Sequence, residues 1–202
     1  LNYIPVRHKD GAADRASIRR AMEASGGHIE LLRYTDPTGR ETYKRTAQFV
    51  IFLALRQLWP KAVGKMNCTV GSGLYISVSG AEGFSAEKVK KRIGELVAQD
   101  IPLLRRRVST KDAEIYYRSD GQSDKAELLR WRPVDYFDEY VYEDYADYFY
   151  GEMMPSTGYL RVWDVLPVPG GFMFVYPDDQ DPDRVADYRE SPNFFQVYNE
   201  GE

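Results

Sequence analysis

The chain has 202 residues, of which 43% are apolar, 29% charged and 14% aromatic, and its formal charge is −4. Those proportions exclude a collagen-like, low-complexity or wholly disordered chain, and the length suits one domain or two small ones. A chain this long buries roughly 70% of the surface its unfolded form exposes, so its core needs neither a disulfide nor a metal.

The elements follow in chain order. Residues 1–6 read as a short extended piece. Residues 13–24 form a helix candidate, with Ile18 and Met22 at i, i+4 and Gly26-Gly27 as its stop. Residues 28–34 (HIELLRY) read as a strand, and Asp36-Pro37-Thr38-Gly39 as a turn. The strongest helix signal spans 42–58. Its stretch from Phe49 to Leu55 is apolar at every position, which predicts burial on most sides, and Pro60 ends it. Residues 66–78 predict two strands around Gly71-Ser72-Gly73. Ser85 caps a helix to Gln99 whose apolar stripe is Val89, Ile93, Leu96 and Val97. Ser109 and Asp112 resemble a capping box for a helix to Arg118, Gly121 breaks it, and 123–131 is a second short helix. Strands are expected at 136–142, 145–150, 159–165 and 171–176, followed by an irregular acidic tail over 177–202. Helices and strands without regular βαβ alternation predict an α+β fold.

The charge is divided unevenly. Residues 1–132 hold 24 basic and 15 acidic residues, a balance of +9, whereas 133–202 hold 3 and 16, a balance of −13. Two oppositely charged parts of one domain that attract each other explain this better than a nucleic-acid face, because phosphate binding needs a net basic surface. Nucleic acid is therefore not the expected partner. Lys88, Lys90, Lys91 and Arg92, with Arg105-Arg106-Arg107, read as a solvated face ahead of an RNA contact. Six tyrosines between Tyr136 and Tyr150 alternate with acids. Acids beside them would repel a nucleic-acid backbone, so sheet packing with hydroxyls on polar edges is the expected role.

Most familiar chemistry is absent. There is no G-x-x-x-x-G-K-[ST] loop, and Gly71-Ser72-Gly73 suits a hairpin better than a phosphate cradle. His8 and His28 have no zinc-type spacing with Cys68, so no metal is expected. No serine lies in a G-x-S-x-G elbow. Cys68 is the sole cysteine, which excludes an internal disulfide and suits a reducing, cytoplasmic setting. No apolar run approaches the ~20 residues of a membrane span, so no membrane partner is expected. The first ten residues lack the pattern of a signal peptide, and a chain opening on Leu1 is expected to be part of something longer.

Two stretches carry a specific resemblance. ETYKRTAQFVIFLALRQLWP (41–60) with GSGLYISV (71–78) resembles the buried helix and following strands of the editing domain of bacterial threonyl-tRNA synthetases. DYADYFYGEMMPSTGYL (144–160) resembles that domain's D-x-C-x-G-P-H-x-P-S-T-G-Y segment, and 109–132 fits its paired short helices. The resemblance covers about 40–176, and its most specific piece is Pro155-Ser156-Thr157-Gly158. It implies an antiparallel sheet with a long buried helix over 40–176, as in threonyl- and alanyl-tRNA synthetase editing domains. Before it, residues 1–39 would be a partial β-grasp (TGS-like) segment or linker.

The departures bear on chemistry. The family has H-x-x-x-H on its long helix. Registered on Pro60, those positions are Arg45 and Phe49, while the Cys and His of the second motif fall on Phe149 and Met153. A phenyl ring and a thioether cannot exchange protons as imidazole does. The family's lysine and aspartate are matched by Lys125 and Asp147. The fold is thus expected to persist without the hydrolytic set. Arg45, Phe49, Lys125, Asp147, Phe149 and Met153 would line a vestigial pocket, small and mostly apolar. Either it holds a nucleoside or anion at Arg45, or Phe149 and Met153 plug it.

That combination resembles a second family, bacterial uridine-kinase-like (nucleoside kinase) proteins, which carry a synthetase-like region ahead of a P-loop kinase domain. Tyr43-Lys44-Arg45-Thr46, Gly73-Leu74-Tyr75, Arg105-Arg106-Arg107-Val108-Ser109, Arg132-Pro133-Val134-Asp135-Tyr136-Phe137 and Tyr148-Phe149-Tyr150-Gly151 resemble its version. The resemblance implies that 177–202 leads to a kinase domain, which would bind ATP and Mg²⁺ and be this region's partner. These residues would then form a non-catalytic binding or regulatory module. The alternative is an aminoacyl-tRNA editing hydrolase or tRNA-binding domain related to threonyl-tRNA synthetase, working with Lys125 or Asp147.

Overall fold

A computed structural model describes residues 8–9, 12–13, 23, 26, 32–131, 133–149 and 151–188. Most of the expected helix at 13–24, the start of the expected strand at 28–34, most of the TGS-like segment and the end of the acidic tail lie outside the described residues; Ala13, the first residue of that expected helix, is in a strand. Of the early region, His8–Lys9 (β1) pairs antiparallel with Ala12–Ala13 (β2).

Helix α1 (Pro37–Leu58) organises the rest. It starts five residues before the expected helix, which corrects both the strand through Tyr34 and the turn at Asp36–Gly39. Residues 32–34 are not a strand, and Tyr34 lies in a turn. That turn is closed by Asp36 N–H donating to the Arg33 carbonyl at 3.0 Å and Arg33 N–H donating to the Asp36 carboxylate at 2.6 Å. Pro37 then occupies the first helical turn, where its missing N–H costs nothing. Gly39 is required here, because a Cβ would lie 2.0 Å from the Arg33 carbonyl oxygen.

Strands β3 (Val63–Val70) and β4 (Gly73–Ser79) form a hairpin whose turn is Gly71-Ser72. They belong to a four-stranded antiparallel sheet, order β3-β4-β9-β8, completed by β8 (Asp164–Val168) and β9 (Gly171–Val175). The strand expected at 159–165 is therefore displaced. Thr157–Tyr159 is a turn of 3₁₀ helix, whose Thr157 hydroxyl donates to the Leu96 carbonyl and accepts from Ile101 N–H. Helix α2 (Ala86–Ala98) has the expected cap, with Ser85 accepting from Lys88 N–H. Phe49, Val50 and Ile51 of α1 join Ile76, Phe172 and Phe174 of the sheet and Val89, Ile93 and Leu96 of α2 in one core.

The remaining elements make a second layer rather than an extension of the first sheet. Strands β5 (Leu104–Ser109), β6 (Tyr136–Tyr142) and β7 (Tyr145–Asp147) form a three-stranded antiparallel sheet. β7 stops at Asp147, short of the expected 150. Helices α3 (Thr110–Ser119) and α4 (Ser123–Leu129, two residues shorter than expected) cover it. They enclose a small core of Ala113, Tyr117, Ala126, Leu129 and Phe137. Ser109 caps α3 by accepting from Asp112 N–H at 3.0 Å.

The charge asymmetry resolves across this second sheet. Arg106 stands opposite Glu139 and Arg107 opposite Asp138 in the β5–β6 register. Arg106 Nε lies 2.6 Å from Glu139, and Arg107 holds Asp138 with two bonds of 2.8 and 3.1 Å. Lys90 of α2 similarly pairs with Asp164 at 2.6 Å. The acidic segment after 176 folds back through a bridge between Pro177 and Val185.

Two predictions follow from this packing. Ile51, fully buried, should lose about 2–5 kcal/mol of unfolding free energy on truncation to Ala, whereas Ile115→Ala, at 60% exposure, should change it by less than about 0.5 kcal/mol in urea titrations. The second concerns acid. Burial pushes the Asp120 carboxyl up, but hydrogen bonds from Arg56 and Gln122 outweigh it and hold the group below its ordinary value. The pair Arg56–Asp120, at 2.8 and 2.5 Å, therefore stabilises fully above the ordinary carboxylate pKa of about 3.9 and loses its contribution as pH falls through the lower folded value. Asp120→Asn should flatten that acid-side slope in thermal melts recorded from pH 5 downward.

Candidate functional site

The six residues expected to line a vestigial pocket form one connected structure. Arg45 and Phe49 lie one turn apart on α1. The Arg45 guanidinium is turned to the protein: Nε donates to the Glu152 carbonyl at 3.0 Å and Nη2 to the Thr42 hydroxyl at 3.1 Å. It also lies flat against Gly151, whose Cβ position would be 2.9 Å from Arg45 Cζ, and whose φ of +123° is a glycine conformation. Phe49 is fully buried, with ring centroids 5.1 Å from Tyr145 and 6.5 Å from Phe149. Met153 is buried in the same core, and its N–H donates to the Tyr140 hydroxyl at 2.9 Å. Thr46, one turn above Thr42, accepts from Met154 N–H at 2.9 Å.

Lys125 and Asp147 meet beyond Tyr145. Asp147 is buried and receives Lys125 Nζ at 2.6 Å, the Tyr145 hydroxyl at 3.1 Å and the Tyr148 N–H at 2.8 Å. Lys125 also stands over the rings of Tyr117 and Tyr148, at 5.6 and 6.0 Å from their centroids. The Tyr117 hydroxyl in turn reaches the buried Glu139 at 3.4 Å. Burial pushes the Tyr145 and Tyr117 phenols far up, and the neighbouring carboxylates push them further. The Tyr140 phenol is pushed up to about 12, chiefly by burial. All three remain protonated and serve as donors near neutral pH.

A cleft of about 190 Å³ opens beside this cluster. Phe149 and Gly151 form one side of it, Tyr136, Phe137 and Tyr148 line it further, and Arg105 and Asp138 bring charge. Of the six expected residues, Phe149 borders the cleft. Arg105 was read in the sequence as part of a solvated basic run, yet it pairs with Glu152 and lies 3.6 Å from Asp138. Its position was hidden because the register of β5 on β6 is a tertiary fact. The tyrosine–acid alternation signalled the roles of Tyr140 and Tyr145, whose hydroxyls bond Glu152 and Asp147. No sequence signal pointed to Thr46 or Glu152.

Among the described residues of the cluster there is no histidine and no cysteine. Cys68 lies in a different packing cluster, with Tyr75 and Met173. Among the described residues no group of three or more His, Cys, Asp or Glu could hold a metal ion, and no helix is long and apolar enough to cross a membrane.

No protein-family model matches the chain. Among curated proteins it is similar to threonine–tRNA ligases. The enzyme of Burkholderia multivorans is 30% identical over 141 residues, 68% of this chain and 22% of the ligase. That of Burkholderia ambifaria is 30% identical over 148 residues, 71% of this chain and 23% of the ligase, and that of Syntrophomonas wolfei 25% identical over 150 residues, 72% and 24%. The chain thus spans less than a quarter of the length of the curated relatives it matches. A threonyl-tRNA-synthetase-like region and an α+β architecture with antiparallel sheets agree with one another.

The buried Lys125–Asp147 pair generates a test. Lys125→Met strips the cation from a buried carboxylate, so it should destabilise by about 3 kcal/mol in chemical denaturation, whereas Lys44→Met, which breaks an exposed pair with Glu41, should cost less than about 1 kcal/mol.

Proposed function

We propose that this chain is a synthetase-related, editing-domain-like region that works by binding and not by hydrolysis. The observation that carries the reading is what stands at the four positions matched to the hydrolytic set. Phe149 and Met153 pack toward Phe49, and the guanidinium of Arg45 is bonded to the protein's own carbonyl and hydroxyl. An arginine stays protonated and makes a poor base. Lys125 and Asp147, which a hydrolase would have to use, are bonded to each other.

Similarity to threonine–tRNA ligases favours this synthetase-related reading over a module of a nucleoside kinase. The kinase attachment, with its ATP and Mg²⁺, rests on the sequence resemblance alone. A G-x-x-x-x-G-K-[ST] loop encoded beyond Glu202 would restore it.

The deciding measurement is deacylation of threonine tRNA mischarged with serine. The chain should release serine no faster than buffer does. Release above that rate, abolished by Asp147→Asn, would overturn the reading in favour of a hydrolase.

A further inference from the structure

We propose that residues 178–188 form a releasable strap, which covers the outer face of the four-stranded sheet and opens as a unit while the rest of the fold stays closed. The proposal concerns the side of the sheet turned away from α1, so it stands or falls independently of the deacylation result.

The sheet has two apolar faces. Leu74, Ile76, Phe172 and Phe174 join the main core with α1. Side chains alternate along a strand, so Tyr75, Met173 and Val175 point the other way. All three are buried, in a cluster that includes Ala186 and has Val185 and Tyr188 packed against it. A Cβ at Gly73 would lie 2.7 Å from Met173 Sδ and 3.2 Å from Tyr188 Cδ2, so the thioether and the tyrosine ring meet over that glycine.

The cover is thin. From Asp178 to Tyr188 only Ala186 is buried, and five of the residues are aspartates. Many of its polar bonds are internal. The Asp178 carboxylate accepts from the N–H groups of Gln180 and Asp181 at 2.9 and 3.0 Å. Asp178 N–H donates to the Arg184 carbonyl at 2.9 Å, and Arg184 N–H to the Asp181 carbonyl at 3.0 Å. The Arg184 guanidinium, half-exposed, reaches Asp178, Asp181 and Asp187 at 3.5, 3.9 and 3.2 Å. These bonds travel with the strap when it lifts.

Its outward ties are weaker than what lies beneath. Ala186 N–H donates to the Tyr176 carbonyl at 3.1 Å, and Asp179 forms a partly exposed pair with Arg40 at 3.0 Å. A segment with few buried apolar contacts and exposed bonds opens at a lower free energy than the core it covers. The root stays fixed, because Tyr176 lies in the main core and the Pro177 carbonyl accepts from the Tyr34 hydroxyl at 3.2 Å. The strap therefore hinges beside the entry to α1. Release uncovers an apolar surface of Tyr75, Met173 and Val175 and leaves the α1 core closed. Closed, the strap keeps that face out of reach.

Three methionines report on the strap without a label. Met66 is 42% exposed, Met153 lies in the main core at 1%, and Met173 lies under the strap at 0%. Dilute hydrogen peroxide converts an accessible thioether to its sulfoxide, and tandem mass spectrometry separates Met153 from its neighbour Met154. Met66 should oxidise fastest, and Met173 at least about tenfold faster than Met153. Ala186→Asp, which puts a charge at the strap's buried position, should speed Met173 oxidation about tenfold and leave Met153 unchanged. Arg184→Gln, at an exposed position, should speed it about threefold. The proposal is overturned if Met173 and Met153 oxidise at one rate in the unaltered chain, or if the variants speed both methionines equally. It is also overturned if circular dichroism shows both variants folded and neither changes the Met173 rate.

Discussion

Seven consecutive apolar residues, Phe49 to Leu55, force α1 to be covered almost all the way round. A helix with a single apolar stripe can lie on one sheet and show its other side to water. Here one side takes the four-stranded sheet and α2, through Ile76, Val89, Ile93, Phe172 and Phe174. The side bearing Phe49 has to be closed by something else, and the segment from Tyr145 to Met153 closes it. The second layer, its short helices and the candidate site all follow from that requirement.

The second layer is fastened by apolar packing, through Tyr140, Tyr145 and Met153 in the main core, and by ion pairs. Arg56 of α1 grips Asp120 at the end of α3, and Lys125 of α4 grips Asp147 on β7. Across β5 and β6 the arginine run meets the acids of the other half of the chain. Directly opposed cross-strand charges of opposite sign each contribute modestly, and they fix register as much as they add stability. Part of the charge imbalance along the sequence is thus met by pairing across β5 and β6.

The same economy shapes the site. Where resemblance to an editing domain places imidazoles and a thiol, this chain has groups that fill volume or make fixed hydrogen bonds. The phenols of Tyr140, Tyr145 and Tyr117 are held protonated by burial beside carboxylates. They act as rigid donors and not as acids that titrate. A cluster of buried donors paired with carboxylates is suited to holding a shape.

Local patterns were readable in the sequence because their causes are local. The helix over 42–58, the capping serines Ser85 and Ser109, and the hairpin at Gly71-Ser72 depend on residues within a few positions of one another, and the structure has all of them. The start of α1 was misread because Pro37 serves a turn and a first helical turn equally well, and only the Arg33–Asp36 contacts choose between them. The strand expected at 159–165 lies instead at Asp164–Val168, since Thr157 is drawn to Leu96 and Ile101 on a distant part of the chain. At the site, residue types alone told that no imidazole or thiol remains at the four matched positions, because proton exchange is a property of the side chain itself. Whether Arg45 faces a ligand or a carbonyl, and whether Arg105 faces solvent or a cleft, depended on strand register and chain reversal. Those are set by burial summed over the entire core, and no short stretch of sequence contains them.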